Sequence, residues 1–320
     1  MSANERTFRL DTEPGVSLFV YEWSPHVSDH ASPKGIVLIS HGMAEHAARY
    51  ARLAERLCAA GYVVYASDHR GHGRSIGKPE DLGYFGDGSG FDGVIADQEK
   101  LRLRALADHP GLPVFVVAHS MGSFVMRRYL IDHGHEVAGA VLSGTAGGQL
   151  GLVKVGRNIA KLERLRLGKR GKSKLLHQLS FGDYNRKFKP IRTESDWLSR
   201  DPAEVDKYVA DPLCGWVLST QGWIEVMSSI IAMQDIDSIR RMPKDLPLYV
   251  FSGSDDPVGR NTAGVRDTLN LFTSAGLTNV THKFYAGGRH EMFNETNRDE
   301  VERDVVAFLD RTFDALKKAA

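Results

Sequence analysis

Residues 113–124, with the sequence PVFVVAHSMGSF, constrain the fold more than any other segment of the chain. An apolar run of strand character leads directly into Ala118-His119-Ser120-Met121-Gly122, and a helical pattern begins at once. A Gly-x-Ser-x-Gly turn between a strand and a helix holds its serine in a strained backbone position and needs small residues on either side. Ala118 takes the place of the first glycine here. We therefore predict that Ser120 presents its hydroxyl at the carboxyl end of a sheet, beside the positive end of the following helix. The alternative is that Ser120 only caps that helix.

Apolar strand patterns alternate with one-sided helical patterns along most of the chain. The predicted strands are 16–23, 35–40, 62–67, 113–117, 138–143, 246–252 and 281–285. Strands that alternate with helices in this way predict an α/β fold, with a mostly parallel sheet and helices on both of its faces. Ligands of such sheets bind outside the carboxyl ends of the strands.

The alternation stops after Gly147-Gly148 and resumes near residue 246. We therefore predict a core formed by residues 1–146 and 241–320, with an inserted helical cap at 147–240. Residues 151–190 of the cap contain twelve Lys or Arg and two acidic residues, a net charge of +10, with leucines between the charges. Residues 211–233 are instead apolar and aromatic, which suits either a cap core or a pocket for an acyl chain.

Composition and charge exclude several classes of protein. The net charge of +1 favours neither nucleic acid nor an acidic partner, and the oligomeric state is left open. The first residues are polar and no apolar run approaches the ~20 residues of a membrane span, so we expect a cytoplasmic protein without a secretory signal. Cys58 and Cys214 are the two cysteines. Cys58 lies on the apolar face of a predicted helix, which favours a reduced structural thiol.

A serine hydroxyl becomes a good nucleophile only beside a base that a carboxylate orients. The strand at 246–252 is followed by Gly253-Ser254-Asp255-Asp256-Pro257, and the strand at 281–285 by Ala286-Gly287-Gly288-Arg289-His290. The order Ser, Asp, His, each after a strand, predicts Ser120 as nucleophile and His290 as base. Asp255 and Asp256 both qualify as the acid, and the spacing favours Asp256.

Acyl transfer also needs donors for the oxyanion of its tetrahedral intermediate. The amide of Met121, directly after the serine, is one candidate, and the amide of Met43 in His41-Gly42-Met43-Ala44-Glu45-His46 is the other. Several histidines of this loop and of the loop DHRGHGRS at 68–75 could be proposed as metal ligands (His41, His46, His69 and His72). Without a cysteine or carboxylate set at ligand spacing, we expect them to shape their loops, and we expect no metal or cofactor.

The segments HGMAEH at 41–46, DHRGHGRS at 68–75, HSMG at 119–122, GSDDPV at 253–258 and GGRHE at 287–291 together resemble the α/β-hydrolase superfamily. They are most similar to its monoacylglycerol lipase and lysophospholipase branch, also called serine aminopeptidase-like. The resemblance implies Ser120, Asp256 and His290 as a catalytic triad, Met43 and Met121 as the oxyanion hole, and a cap inserted after the sixth strand.

The resemblance also implies a reaction, namely hydrolysis of a carboxylic ester through an acyl-enzyme. A monoacylglycerol or another single-chain lipid ester is the favoured substrate, and the basic half of the cap is a candidate for peripheral contact with an anionic membrane. Other possibilities are a lysophospholipase, a short-chain carboxylesterase, an aminopeptidase or an acyltransferase. A protein of another class, a binding or receptor protein that keeps the triad but turns over little, also remains open.

Overall fold

The computed structural model describes residues 3–26, 32–87 and 90–319 of the chain. Eight strands in these residues form one sheet. The strands are β1 (Asn4–Glu13), β2 (Val16–Ser24), β3 (Gly35–Ser40), β4 (Tyr62–Ser67), β5 (Val114–His119), β6 (Gly139–Ser143), β7 (Leu248–Gly253) and β8 (Val280–Tyr285). The helices are α1 (Ala51–Ala59), α2 (Gly90–Asp108), α3 (Met121–His133), α4 (Leu150–Leu167), α5 (Lys174–Phe181), α6 (Pro202–Ala210), α7 (Thr220–Ala232), α8 (Ile236–Ile239), α9 (Ala263–Ser274) and α10 (Arg298–Ala319).

The strands lie in the order β1-β2-β4-β3-β5-β6-β7-β8. Every pair from β4 to β8 is parallel, whereas β1 and β2 are antiparallel to their neighbours. The strands β3 to β6 are buried at every position, because helices cover both faces of the sheet and apolar residues follow one another without interruption. The predicted parallel sheet is confirmed. Its parallel strands place their carboxyl ends along one edge.

The helices pack on the sheet in two layers. On one face, side chains of α2, α3 and α9, such as Leu101, Met126 and Phe272, join the buried core. On the other face, α1 and α10 contribute residues such as Leu53 and Val305. Cys58 lies in this second layer and is buried and free, as is Cys214 outside it.

The first strand is absent from the strands predicted from the sequence, which begin at residue 16. β1 pairs antiparallel with β2 at the edge of the sheet. Its side chains are mostly exposed, and only Phe8 and Leu10 pack against the core. An edge strand with so few apolar positions carries a weak alternation signal, which explains why the polar segment was not predicted as a strand.

Between β6 and β7 the chain forms α4 to α8 and short turns of 3₁₀ helix. Apolar residues of α4, α5 and α7, among them Ala160, Leu176 and Trp223, pack with Phe91 of α2 and Val125 of α3. We call residues 144–247 the insertion. Its helices occupy the range predicted for the cap, while the division of the chain into core and cap stays a prediction. In the part of the chain that the structure describes, no helix has the length and apolar character needed to cross a bilayer.

Candidate active site

Ser120 lies at the junction of β5 and α3, in a backbone conformation that is rare for a residue with a side chain. Its φ is 51° and its ψ is −121°. The amide of Ser120 donates to the carbonyl oxygen of Ser143 at 2.9 Å, which ties the turn to the end of β6. A Cβ atom at Gly122 would lie 2.1 Å from the carbonyl oxygen of Ser40, so only glycine permits this approach of α3 to β3. The turn therefore combines positive φ with close backbone contact, as the sequence motif predicts.

The structure brings Ser120, His290 and Asp256 together. Nε2 of His290 lies 2.9 Å from Oγ of Ser120, and Nδ1 of His290 lies 3.0 Å from Oδ1 of Asp256. Asp256 follows β7 and His290 follows β8, so each side chain extends from the carboxyl end of a parallel strand. Both are buried. Asp255 instead accepts a hydrogen bond from Nζ of Lys187 at 2.6 Å and has no contact with the imidazole.

The surroundings of His290 favour its protonated form. Burial alone lowers the pKa of His290, but the charge of the Asp256 carboxylate and its hydrogen bond outweigh burial and raise the pKa above its ordinary value. The neighbouring imidazole of His119, 4.7 Å away between ring centroids, is held neutral, because burial and the charge of His290 keep its pKa well below the usual range. The ring that contacts Ser120 can therefore carry a proton that its neighbour cannot.

The two backbone amides that the sequence predicts as oxyanion donors belong to Met121 and Met43. Met121 is the first residue of α3, and Met43 lies in the turn that follows β3. Among the described residues, neither amide donates a hydrogen bond to another protein group, and both residues line the same cavity as Ser120. The adjacent Gly42 amide is occupied, because it donates to Oε1 of Glu45 at 2.6 Å.

A buried ion-pair network beside the imidazole was not predicted from the sequence. The guanidinium of Arg49 donates to Glu45 at 2.6 Å and to both carboxylate oxygens of Glu291 at 2.7 Å. Burial raises the pKa of Glu45, while the Arg49 charge overcomes burial and lowers the pKa of Glu291 to about 2. The network joins the loop at residues 41–46, which we call the Met43 loop, to Glu291, the residue after His290. Both carboxylates stand inside the motifs HGMAEH and GGRHE, but no local spacing indicates their common partner.

The insertion also directly contacts the loop after β8 that carries His290, which we call the histidine loop. The amides of His290 and Glu291 donate to the carbonyl oxygens of Trp197 and Leu198, at 3.4 and 2.7 Å. The centroids of the Trp197 indole and the His290 imidazole lie 5.2 Å apart. Residues 196–201 therefore support the loop that carries His290, a role that the sequence motifs did not indicate.

A cavity of about 530 Å³ opens at Ser120 and extends beneath the insertion. Its size lies within the usual range for a small-molecule site. Most of its surface is apolar, and α4, α5 and α7 contribute apolar residues such as Val153, Ile159, Leu176, Met227 and Ile230. A shape of this kind can hold a hydrocarbon chain with one end at the Ser120 hydroxyl.

The histidines of the two glycine-containing loops make hydrogen bonds within the protein. The amide of His69 donates to Nε2 of His41 at 2.9 Å, and Nδ1 of His72 lies 2.9 Å from the carbonyl oxygen of Arg70. These rings pack against one another in tilted or edge-on arrangements, with 4.0 Å between the centroids of His41 and His69. His46 differs, because Nε2 of its ring lies 2.9 Å from a carboxylate oxygen of Asp211 in the insertion.

Comparison with known proteins gives a consistent result. The family model of the serine aminopeptidases of type S33 matches residues 31–297. A monoacylglycerol lipase of Mycolicibacterium smegmatis is 34% identical over 299 residues, which are 92% of this chain and 93% of that lipase. The monoglyceride lipase of Homo sapiens is 29% identical, over 88% of this chain and 82% of that enzyme. The structure of a thermostable carboxyl esterase from Bacillus coagulans in complex with glycerol matches with a TM-score of 0.87 and 27% identity, over 98% of this chain and 99% of the esterase.

Proposed function

The chain belongs to the serine aminopeptidase S33 family of α/β-hydrolases, and from this premise we propose that it hydrolyses monoacylglycerols. It is a carboxylic ester hydrolase with monoacylglycerol lipases among its relatives. The observation that supports the lipid substrate is the position of the Ser120 hydroxyl at one end of a mostly apolar cavity of about 530 Å³. A single acyl chain can enter this cavity and place its ester carbonyl at the serine.

In the proposed mechanism, Nε2 of His290 takes the proton of Ser120 while Oγ attacks the ester carbonyl. Asp256 accepts the Nδ1 hydrogen bond, which fixes the tautomer and stabilises the imidazolium. The amides of Met43 and Met121 donate to the oxyanion. His290 then protonates the leaving glycerol oxygen, and an acyl-enzyme remains on Ser120. Water, deprotonated by His290, attacks this ester and releases the fatty acid and free Ser120.

Substrate selection tests the proposal. Rates of hydrolysis are measured for 1-monoacylglycerols from C8 to C18, for lysophosphatidylcholine, for a short-chain ester and for an aminoacyl amide, with Ser120→Ala as the control. We expect kcat/KM to be highest for a monoacylglycerol and to be lost in Ser120→Ala. Faster cleavage of lysophosphatidylcholine, of the short ester or of the amide would contradict the proposal and indicate a lysophospholipase, an esterase or an aminopeptidase, respectively. Labelling of Ser120 by a fluorophosphonate without turnover would indicate a binding protein.

We further propose that the basic part of the insertion contacts an anionic membrane surface. Eight large hydrophobic side chains are exposed between residues 150 and 191, namely Leu150, Leu152, Val155, Leu162, Leu165, Leu175, Leu179 and Ile191. They lie among the twelve basic residues of 151–190, and such a mixture suits a lipid interface, where each Lys or Arg contributes about 1 kcal/mol. Leu152, Val155 and Leu179 also line the cavity, so its mouth opens within this surface. A cytoplasmic location stays a prediction from the sequence.

Co-sedimentation with vesicles tests the membrane proposal. Leu165, 84% exposed, is replaced by Glu, and the matched control is Leu103→Glu on α2, where the leucine is 51% exposed and outside the basic segment. We expect the wild-type chain and the control to bind vesicles that contain anionic lipid at low salt, and Leu165→Glu to bind at least about threefold more weakly. Equal partitioning of the wild-type chain with neutral and anionic vesicles would contradict the electrostatic part of the proposal.

A further inference from the structure

Three potential metal-binding side chains meet where the insertion touches the loop after β3. They are His46 of that loop and Asp211 and Cys214, which lie between α6 and α7. One ligand atom from each, an imidazole nitrogen, a carboxylate oxygen and the thiol sulfur, all lie within 4.8 Å of one another. None of the three belongs to the proposed triad or to the oxyanion donors.

The chemistry of this set matches a borderline-soft divalent cation. Zn²⁺ takes imidazole, thiolate and carboxylate ligands at about 2.0–2.3 Å, and three protein ligands leave the fourth position to water. Tetrahedral bonds of that length separate ligand atoms by about 3.3–3.7 Å. No pair of donors therefore needs to close by more than about 1.5 Å, whereas Nε2 of His46 and the carboxylate oxygen of Asp211, which are 2.9 Å apart, must separate slightly. His46 and Cys214 are buried, and the Asp211 side chain is 31% exposed, which gives an ion a path from solvent.

The charges around the cluster favour a cation. The guanidinium of Arg49 is the nearby positive group, but it is paired with the carboxylates of Glu45 and Glu291. Asp211 adds a third negative charge. Binding of a metal releases the thiol proton of Cys214, because the thiolate is the ligand.

We propose that His46, Asp211 and Cys214 bind Zn²⁺, and that the bound ion fastens the insertion to the Met43 loop. Two links already exist there, because the amide of Gly215 donates to the carbonyl oxygen of Ala44 at 2.9 Å, and Nε2 of His46 lies 2.9 Å from a carboxylate oxygen of Asp211. A metal would replace the direct contact of His46 with Asp211 by bonds to all three side chains, three residues from Met43. The site joins residues that are 165 positions apart in the chain, so ligand spacing in the sequence could not reveal it.

Co²⁺ is the direct probe, because a cysteine thiolate bound to Co²⁺ absorbs in the near ultraviolet by charge transfer. The chain has two cysteines, so Cys58→Ser is a matched control for Cys214→Ala. We expect the absorption in the wild-type protein and in Cys58→Ser, its loss in Cys214→Ala, and its displacement by Zn²⁺. Absence of the band at saturating Co²⁺, or its persistence in Cys214→Ala, would overturn the proposal.

Thermal unfolding with Zn²⁺ supplies a second measurement that does not depend on catalysis. A ligand that binds only the folded state raises the Tm. We expect this rise in the wild-type protein and in Cys58→Ser, and an affinity at least about tenfold weaker in Asp211→Asn, which keeps a hydrogen-bonding group beside His46. The same rise in Asp211→Asn as in the wild-type protein would place the metal elsewhere.

Discussion

At the scale of single residues, the pair Asp255 and Asp256 shows how neighbouring carboxylates acquire different roles. Asp256 is fully buried and contacts Nδ1 of His290, and its Oδ1 also accepts a hydrogen bond from the Val258 amide at 2.9 Å. Asp255 projects outward and pairs with Lys187 of the insertion. We propose that Asp256 alone determines the imidazole tautomer.

This difference leads to a prediction about two matched amide variants. In Asp256→Asn the amide can donate to Nδ1, which favours the wrong tautomer, and we expect kcat to fall by about 10⁴-fold. Asp255→Asn loses only a partly exposed ion pair, and we expect a change of less than about twofold. Ester hydrolysis is measured for both variants, with circular dichroism to check folding. Similar losses in the two would contradict the assignment of the acid.

The pH dependence of hydrolysis follows from the charge on His290. The base must be neutral to take the serine proton, and the Asp256 carboxylate raises the pKa of His290 above its ordinary value. Activity should therefore fall as pH decreases through an inflection above about 6.5, the reference value for histidine. Profiles of kcat/KM against pH are recorded for the wild-type enzyme and for Asp255→Asn, which should share the inflection. An inflection below pH 6.5 in the wild-type enzyme would show that burial dominates.

At the scale of structural elements, residues 196–201 are fixed to the core, whereas α4 and α5 carry most of the exposed leucines. Glu295 is fully buried and accepts hydrogen bonds from the amides of Arg200 and Arg289 and from the Arg200 side chain, at 2.8–3.0 Å. The backbone bonds from His290 and Glu291 to Trp197 and Leu198 lie beside this anchor. Any opening of the insertion that leaves the histidine loop intact must therefore move α4 and α5 rather than 196–201.

Weakening this anchor should affect both stability and catalysis. Glu295→Gln replaces a buried charge by an amide that cannot accept all of these bonds, and we expect the free energy of unfolding to fall by about 1–3 kcal/mol. We also expect a lower kcat, since the loop of His290 loses its support. The control is Glu204→Gln on α6, which breaks the surface pair with Lys207 and should cost less than about 1 kcal/mol. Equal urea midpoints for the two variants would argue against the anchor.

Sequence patterns predicted much of the fold and the placement of the candidate triad, for a physical reason. Buried parallel strands need continuous apolar runs, and the turn at Ser120 needs glycine at 122, so both leave local signals. β1 left almost no local signal in the sequence, because an edge strand needs few apolar residues. The links of Arg49 to Glu291 and of His46 to Asp211 join positions 242 and 165 residues apart, and no local pattern encodes such pairs.

At the scale of the whole molecule, buried histidines should make folding sensitive to acid. Burial lowers the pKa of His69 to about 4 and that of His72 to about 3, while His41 and His119 are also kept well below the usual value. Between about pH 6.5 and 4 the unfolded chain binds protons that the folded chain does not. The free energy of unfolding should therefore decrease as pH falls, by up to about 1.4 kcal/mol per pH unit for each such histidine.

A single replacement tests this dependence through its slope rather than through absolute stability. His72→Asn should reduce the slope of unfolding free energy against pH between pH 6 and 4 by the contribution of one proton, which is about 1.4 kcal/mol per pH unit. His135→Asn, at an exposed position after α3, is the matched control and should leave the slope unchanged. Urea titrations at several pH values supply the measurement. An unchanged slope in His72→Asn would show that the ring is protonated in the folded protein.

The order of the proposed triad along the chain has a consequence for biosynthesis. The base lies 170 residues after the nucleophile, and the whole insertion is translated between them. A nascent polypeptide still attached to the ribosome carries the serine turn long before the imidazole has been made. On this scheme, hydrolytic competence appears only after the segment that carries His290 has been synthesised, so shorter translation products should not hydrolyse esters.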